Sequence, residues 1–311
     1  MLRAIVLGAA AGGGFPQWNS AGPGCRRALS GDPAATPRSQ ASLAVSADGA
    51  RWVLLNASPD LRQQIIATPA LHPRPAPGGI RHSPIAAVVL TGAEVDTIAG
   101  LLTMRERHAF ALYGAEAALS VLAANPIFHA VNPALVPRRV LPLGAPLALT
   151  EAGGAPLGLA VEAFAVPGKV PLFLEAPGGE DPGRADDGET IGLRVSAGGR
   201  SLYFIPGCAA MPPDLAARLE GADCVFFDGT LWRDDEMILA GAGPKTGARM
   251  GHMSIDGPGG TLAAFAGLGV RRRILIHMNN TNPVLLADSP ERAAAEAAGW
   301  EVARDGMEVM L

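Results

Sequence analysis

The sequence is poor in the features that mark several classes of protein. It has three cysteines, Cys25, Cys208 and Cys224, which are odd in number and far apart, and this spacing excludes both a disulfide framework and a zinc finger. No stretch reaches the roughly eighteen uninterrupted apolar residues of a membrane-spanning helix. With 25 basic and 29 acidic residues, and no basic run longer than the one at 271–273, nothing points to nucleic acid as a partner.

The composition of the chain is that of a protein with a large hydrophobic core. Its 311 residues are 49% hydrophobic, and α/β proteins of this length often form one compact unit, so we expect a single domain over 1–311. The apolar run at 3–7 is short and is followed by glycines, which favours a buried first strand over a signal peptide. We therefore expect a cytoplasmic protein.

A similar order of elements runs twice along the chain. Alternating apolar runs joined at Asp48-Gly49 and again at Gly198-Gly199 predict two β-hairpins. Each hairpin is followed by strands that alternate with helical segments. This order predicts an α/β fold in which two mixed sheets face each other and the helices lie outside.

Three local features complete the predicted secondary structure. Ser58 is the expected N-cap of a helix with Pro59 at its first position. The acid-, glycine- and proline-rich stretch at 175–190 reads as an exposed loop. The last twelve residues, 300–311, read as a terminal pair of strands.

The opening loop, GAAAGGGFPQWNSAGPGC at 8–25, is dense in glycine and could hold an anion, frame a metal site or only turn the chain. Consecutive glycines at 12–14 let backbone amides approach an anion closely. The GxGxxG pattern of a dinucleotide site is absent, because Phe15 follows the third glycine.

Polar residues follow several apolar strands at their carboxyl ends. Asp96 follows VVLTGAEV, Asp228 ends CVFFD, His277 ends ILIH, and His252 lies in MGHMS. Ligands of α/β sheets bind beyond such strand ends. Two imidazoles with a carboxylate suit zinc or non-haem Fe(II). Alternatively, Asp228 could cap a turn and His252 could only hydrogen-bond within its loop.

The run NNTNP at 279–283 leaves two interpretations open. It could be an Asx turn that caps the next helix, or it could bind a polar substrate.

Several long motifs resemble those of a known protein family. GAAAGGGFPQWN, LLNASPDLRQQI, VPGKVPL, FDGTLW, KTG and IHMNNTNPVL occur along nearly the whole chain, and together they resemble the PqqB family of pyrroloquinoline quinone (PQQ) biosynthesis. The resemblance implies the metallo-β-lactamase fold, a four-layer αβ/βα sandwich. It implies either an iron-dependent hydroxylase of the cross-linked glutamate–tyrosine intermediate derived from PqqA, or a carrier of PQQ or its precursor.

The metal motif departs from the one that the resemblance implies. The His-x-His-x-Asp-His pattern falls on Gly92, Glu94, Asp96 and Thr97, and the aspartate alone matches. A threonine hydroxyl is a weak ligand for a divalent cation, so Glu94 could replace it. The metal ligands expected on this basis are Asp96, Glu94 and His277. Two oxygen ligands make this a harder site, which would hold Fe(II) with less selectivity over other divalent metals.

The second metal motif is also altered. The family's Cys-x-Cys-x-x-Cys, which holds a structural zinc, falls on Ser20, Gly22 and Cys25. One thiolate cannot supply the four ligands of a structural zinc, so we expect this zinc to be absent.

Three functions are compatible with these features. In a hydroxylase, His252 and Asp228 are the expected catalytic residues, with His252 as proton shuttle or substrate contact. In a carrier, Arg62 and other basic residues would meet the carboxylates of PQQ. A zinc hydrolase ranks last because the histidine motif is missing.

We expect the ligand to be a small molecule, and we expect no nucleic acid partner. The chain could form a homodimer. The residues expected to bind substrate are Gly13, Phe15, Gln17, Asn56, Lys169, Lys245, Arg249, Asn279, Asn280 and Asn282.

Overall fold

The strands form two mixed sheets whose order explains the repeated sequence pattern. A computed structural model describes residues 1–75, 79–174 and 188–311. Over these residues the strands are β1 Arg3–Gly8, β2 Ser42–Ser46, β3 Trp52–Leu55, β4 Ile85–Val89, β5 Ala111–Gly114, β6 Arg138–Val140, β7 Pro146–Thr150, β8 Pro156–Ala165, β9 Ile191–Ala197, β10 Arg200–Ile205, β11 Cys224–Asp228, β12 Arg272–Ile276, β13 Trp300–Val302 and β14 Glu308–Met310.

One sheet has the order β14-β1-β2-β3-β4-β5-β6 and the other β13-β12-β11-β10-β9-β8-β7. In the first, β1, β2 and β3 pair antiparallel and β3 to β6 pair parallel. In the second, β7 to β10 pair antiparallel and β10 to β13 pair parallel. The two halves therefore share one plan, and both predicted hairpins are confirmed.

The helices pack against the sheets or lie in the loops beyond the strand ends. They are α1 Pro23–Leu29, α2 Leu61–Ala67, α3 Val95–Ile98, α4 Glu116–Ala124, α5 Pro213–Leu219, α6 Glu236–Leu239, α7 Gly247–Met250, α8 Thr261–Ala264 and α9 Pro290–Ala297. Short 3-10 turns lie at Pro69–Leu71, Ala99–Met104, Pro126–Ala130, Leu172–Leu174 and Pro283–Leu285. No helix within the described ranges is both long enough and apolar enough to cross a bilayer.

Strand β3 shows why the layers form. Its side chains alternate between faces, and all four residues are buried. Val53 and Leu55 join the core between the sheets, while Trp52 and Leu54 join the core beneath α2 and α4. A strand that is apolar on both sides must be covered on both sides, and this requirement gives the predicted four-layer αβ/βα sandwich.

Two local predictions are wrong. The helix after Ser58 begins at Leu61 with Asp60 at the N-cap, because the Ser58 hydroxyl donates to the buried Gln64 side chain instead, at 3.1 Å. The terminal strands do not pair with each other: β13 joins β12 and β14 joins β1. The predicted exposed loop lies outside the described residues over 175–187.

Candidate metal centre

The candidate site lies at the carboxyl ends of parallel strands, where the sequence predicted it. Asp228 is the last residue of β11 and His277 directly follows β12, and these strands are parallel neighbours. His252 lies just beyond α7, and Asp96 is in the first turn of α3, which follows β4. The two strand ends fix two of the groups, and the loops bring the other two to them.

Asp228 is the fully buried acceptor at the centre of the site. Its exposed fraction is 0%. Oδ2 accepts from the Cys208 backbone N–H at 2.8 Å and lies 2.7 Å from Nδ1 of His252. Oδ1 accepts from both the N–H and the hydroxyl of Thr230, at 3.0 and 2.6 Å. These donors compensate for burial of the carboxylate and fix its orientation.

Thr230 contacts three of the side chains of the site, and it was not among the residues predicted from the sequence. Its Oγ1 lies 2.9 Å from Nδ1 of His277 and 3.1 Å from Nδ1 of His252. A hydroxyl has one proton and two lone pairs, so Oγ1 can donate to Asp228 while accepting from an imidazole N–H. The signal was its position two residues after Asp228 in FDGT, a spacing at which a carboxylate commonly bonds the backbone.

His277 is held in an uncommon backbone conformation. Its φ is 62°, in the left-handed region that residues other than glycine seldom occupy. The ring lies between Thr230 and Asp96, with Nε2 at 2.9 Å from Asp96 Oδ2. Burial opposes charge on both groups, but their hydrogen bond and mutual attraction keep the pKa of Asp96 below, and that of His277 above, its ordinary value.

Asp228, His252 and His277 fit a divalent metal. Their ligand atoms all lie within 4.8 Å of one another, and the two imidazole rings stack with centroids 5.3 Å apart. Two imidazoles and one carboxylate suit both zinc and non-haem Fe(II). Of the expected ligands, His277 belongs to this triad, and Asp228 and His252 join it from the predicted catalytic pair.

The other two predicted ligands have different neighbours. Oδ2 of Asp96 lies 2.9 Å from Nε2 of His277. Glu94 is the N-cap residue of α3, and its carboxylate lies 3.7 Å from Nζ of Lys169. A neighbouring ammonium neutralises Glu94, which makes it a poorer site for a cation.

A cavity of about 540 Å³ opens beside the triad. It is lined by Asp96, Glu94, His252 and His277 and by four of the residues predicted to bind substrate, Asn56, Lys169, Lys245 and Asn279. Asn56 also has a positive φ, 66°, and its amide is held by Thr91. Lys169 and Lys245 give the wall two ammonium groups that can meet acidic groups of a ligand, and Glu94, Asp96 and Glu189 place carboxylates on the same wall.

The remaining predicted substrate residues lie outside the described lining of that cavity. Phe15 is buried in the core. The Gly13 N–H donates to Gln40, Gln17 accepts from Asn280, and the Asn282 amide donates to the Gly229 carbonyl. Arg249 is half-buried in α7, and Arg62 is exposed. Most of these contacts hold the loops that frame the cavity.

The altered zinc motif lies in the opening loop. The Ser20 hydroxyl accepts from the Gly22 N–H at 3.3 Å, and Cys25 lies in the first turn of α1. Cys25 is buried with Sγ 3.5 Å from Asn280 Oδ1. The loop thus contacts the asparagine run after His277.

Comparison with known proteins agrees with the fold. The Beta-lactamase superfamily domain matches residues 51–278. The chain is 61% identical over 310 residues to the coenzyme PQQ synthesis protein B of Gluconacetobacter diazotrophicus, covering 99% of both. It is 57% identical to the protein of the same name from Xanthomonas campestris pv. campestris, covering 100% of both.

Solved structures extend the comparison. A Zn²⁺-bound PqqB from Methylobacterium extorquens superposes with a TM-score of 0.93 at 48% identity, covering 99% of this chain and 100% of that one. A diphosphatase of the PhnP family, at 19% identity and a TM-score of 0.65, covers 100% of this chain and 98% of its own and shares the fold.

Proposed function

The chain belongs to the coenzyme PQQ synthesis protein B family, and from that premise we propose that it hydroxylates the cross-linked glutamate–tyrosine intermediate of PQQ biosynthesis, with Fe(II) held by Asp228, His252 and His277. The observation that carries the proposal is the triad itself. It combines two imidazoles and a carboxylate beside a cavity large enough for a small organic acid.

The residues of the chain would orient the reactants. Bound Fe(II) would supply the activation of dioxygen. Nδ1 of His277 faces Thr230 and Nε2 faces Asp96. As a ligand the ring would give one of these nitrogens to the metal, and the hydrogen bond kept by the other would hold its orientation. His252, whose Nδ1 faces Asp228, is then proposed as a ligand in place of its expected role as a proton shuttle.

The cavity wall would bind the acidic intermediate. Lys169 and Lys245 are placed to meet its carboxylates, and Asn56 and Asn279 can exchange hydrogen bonds with its polar groups. Glu94 limits the net positive charge beside Lys169.

We further propose a cytoplasmic protein that acts as a single domain on a small molecule, without a nucleic acid partner. One apolar core contains side chains from both sheets, which supports the single domain. We also propose that the structural zinc is absent, because positions 20 and 22 lack thiolates. A homodimer stays a prediction.

The experiment is oxygen uptake by Fe(II)-loaded protein supplied with a synthetic cross-linked glutamate–tyrosine substrate and a two-electron reductant such as ascorbate, with mass spectrometry of the product. The reductant is needed because hydroxylation places one atom of dioxygen in the product and reduces the other to water. We expect substrate-dependent uptake and a product heavier by oxygen. His277→Ala should abolish both, while His129→Ala, at an exposed position, should change neither. Equal activity in His277→Ala would refute the proposed role of the triad.

A carrier of PQQ is the second candidate, and the two lysines at the cavity favour it because their charge does not depend on a metal. In that case metal-free protein should bind PQQ, and no turnover of the intermediate should be seen. PQQ binding can be followed by its absorbance or by quenching of tryptophan fluorescence.

A further inference from the structure

A buried acid outside the metal triad is linked to the cavity by hydrogen bonds. Glu236, at the start of α6, is 7% exposed. Its Oε2 accepts from the Trp232 N–H at 2.7 Å, and its Oε1 accepts from the Thr281 hydroxyl at 2.5 Å. Thr281 Oγ1 in turn accepts from Nδ2 of Asn279 at 2.6 Å, and Asn279 lines the cavity. The three side chains thus connect the interior with the cavity wall.

This chain of bonds decides which end of the Asn279 amide can meet a ligand. Nδ2 is committed to Thr281 and lies 3.0 Å from Sδ of Met237. The backbone N–H of Asn279 donates to the Thr230 carbonyl at 3.0 Å. Oδ1 receives one long hydrogen bond, 3.3 Å from Nδ2 of Asn280. A carbonyl oxygen has two lone pairs, so Oδ1 can accept a further hydrogen bond.

We propose that Glu236 is a positioning residue that, through Thr281, turns the amide of Asn279 so that its oxygen faces the cavity and accepts a hydrogen bond from an N–H or O–H group of the substrate. Because the lysines favour acidic groups, the cavity then recognises a molecule that carries both an acid and a hydrogen-bond donor. This inference rests on the proposed function, since it takes the cavity as the substrate site.

The charge of Glu236 sets the direction of the bonds. An ionised carboxylate can only accept, so Thr281 donates to it and accepts from Asn279. A protonated carboxyl can donate to Thr281. In the proposed low-pH form the Thr281 hydroxyl then donates to Oδ1 of Asn279, whose Nδ2 turns towards the cavity, since the other acceptor near that hydroxyl, Sδ of Met237, is 3.7 Å away. Burial raises the pKa of Glu236 to about 7, against the hydrogen bonds from Thr281 and from the backbone, and the negative charge of Glu291 adds to the rise.

The test follows the side-chain amide of Asn279 by NMR in ¹⁵N-labelled protein, with the resonance assigned from its loss in Asn279→Ala. In the wild type we expect the resonance to shift with pH, with a midpoint near pH 7. Glu236→Gln should fix it in its low-pH form, because the new amide donates to Thr281. Thr281→Val should remove the response to pH and Thr281→Ser should restore it.

The matched control is Glu162→Gln. Glu162 is another largely buried acid, paired with Arg218 at 2.5 Å, and its replacement should leave the Asn279 resonance unchanged. Glu236→Gln should also bind Zn²⁺ within about twofold of wild type, since the Glu236 carboxylate bonds Trp232 and Thr281 and contacts none of the triad. The affinity of this variant for the substrate should fall by roughly tenfold or more, because Nδ2 of Asn279 would then face the N–H or O–H group of the substrate.

Failure of this inference and failure of the proposed function give different results. The positioning role is overturned if the Asn279 resonance does not shift with pH and is the same in Glu236→Gln as in an active wild type. A wild type that neither binds metal nor turns over substrate, yet shows the pH-dependent resonance, overturns the hydroxylase and leaves the positioning role supported. If Glu236→Gln does not fold, the Thr281→Val and Thr281→Ser pair gives the answer, because a response to His277 titration alone would persist in Thr281→Val.

Discussion

Replacing Asp228 by asparagine should weaken both the fold and the metal site. The carboxylate accepts backbone N–H groups on both oxygens, from Cys208 on Oδ2 and from Thr230 on Oδ1. An amide of the same shape has one oxygen, so its NH₂ group must face one of these donors. An unsatisfied buried N–H costs about 1–3 kcal/mol, and we expect the free energy of unfolding of metal-free protein to fall by about that amount.

Urea unfolding measures this loss, and Zn²⁺ titration measures the effect on the site. Because Asp228→Asn removes the negative ligand, the affinity for Zn²⁺ should fall by more than about 100-fold, the upper end of the cost of losing an outer-shell partner. The control is Asp256→Asn in an exposed bend, which should change stability by less than about 0.5 kcal/mol. An Asp228→Asn variant with wild-type stability and wild-type zinc affinity would refute this reading of the site.

Three further predictions test other parts of the structure. Glu236 has a folded-state pKa of about 7 against an ordinary 4.5; its contribution to stability is therefore full below pH 4.5 and lost as the pH rises through 7. From pH 4 to pH 8, the stability of Glu236→Gln relative to wild type should rise by about 3 kcal/mol in urea unfolding, and a constant difference would contradict this. A Cβ on Gly100 would lie 2.1 Å from the Ser58 carbonyl oxygen, whereas one on Gly259 meets nothing within 4 Å. Gly100→Ala should therefore lower the melting temperature, at a cost of about 1–3 kcal/mol, with Gly259→Ala as the control; equal melting temperatures would count against the packing described. Lys169→Gln should weaken binding of PQQ to metal-free protein by about tenfold, the value of one charge-assisted hydrogen bond, and unchanged binding would remove Lys169 from the ligand site.

The fold was largely predictable because its signals are local. Turn dipeptides at Asp48-Gly49 and Gly198-Gly199 and the repeated order of elements lie within short stretches of sequence. The pairing of the last strands was not predictable in this way. Strand β14 pairs with β1 from the opposite end of the chain, and no local pattern in 300–311 distinguishes that partner from β13.

The sequence singled out several residues of the candidate site, but it did not show which of them contact one another. Asp96, His252 and His277 were identified from their places after apolar strands or in a glycine-flanked loop. Which of them share a metal depends on how separate loops meet, and the structure groups Asp228 with the imidazoles and sets Glu94 beside Lys169. Residues such as Thr230 and Glu236 act through hydrogen bonds to other side chains, which a sequence pattern does not record.

The most direct test of the account is an anaerobic Fe(II) titration of wild type, His252→Ala and the exposed-site control His129→Ala. The triad Asp228, His252 and His277 predicts about one Fe(II) per chain in the wild type and the control, and loss of that iron in folded His252→Ala. A folded wild type that takes up no iron, or a His252→Ala variant with wild-type stoichiometry and affinity, would contradict it.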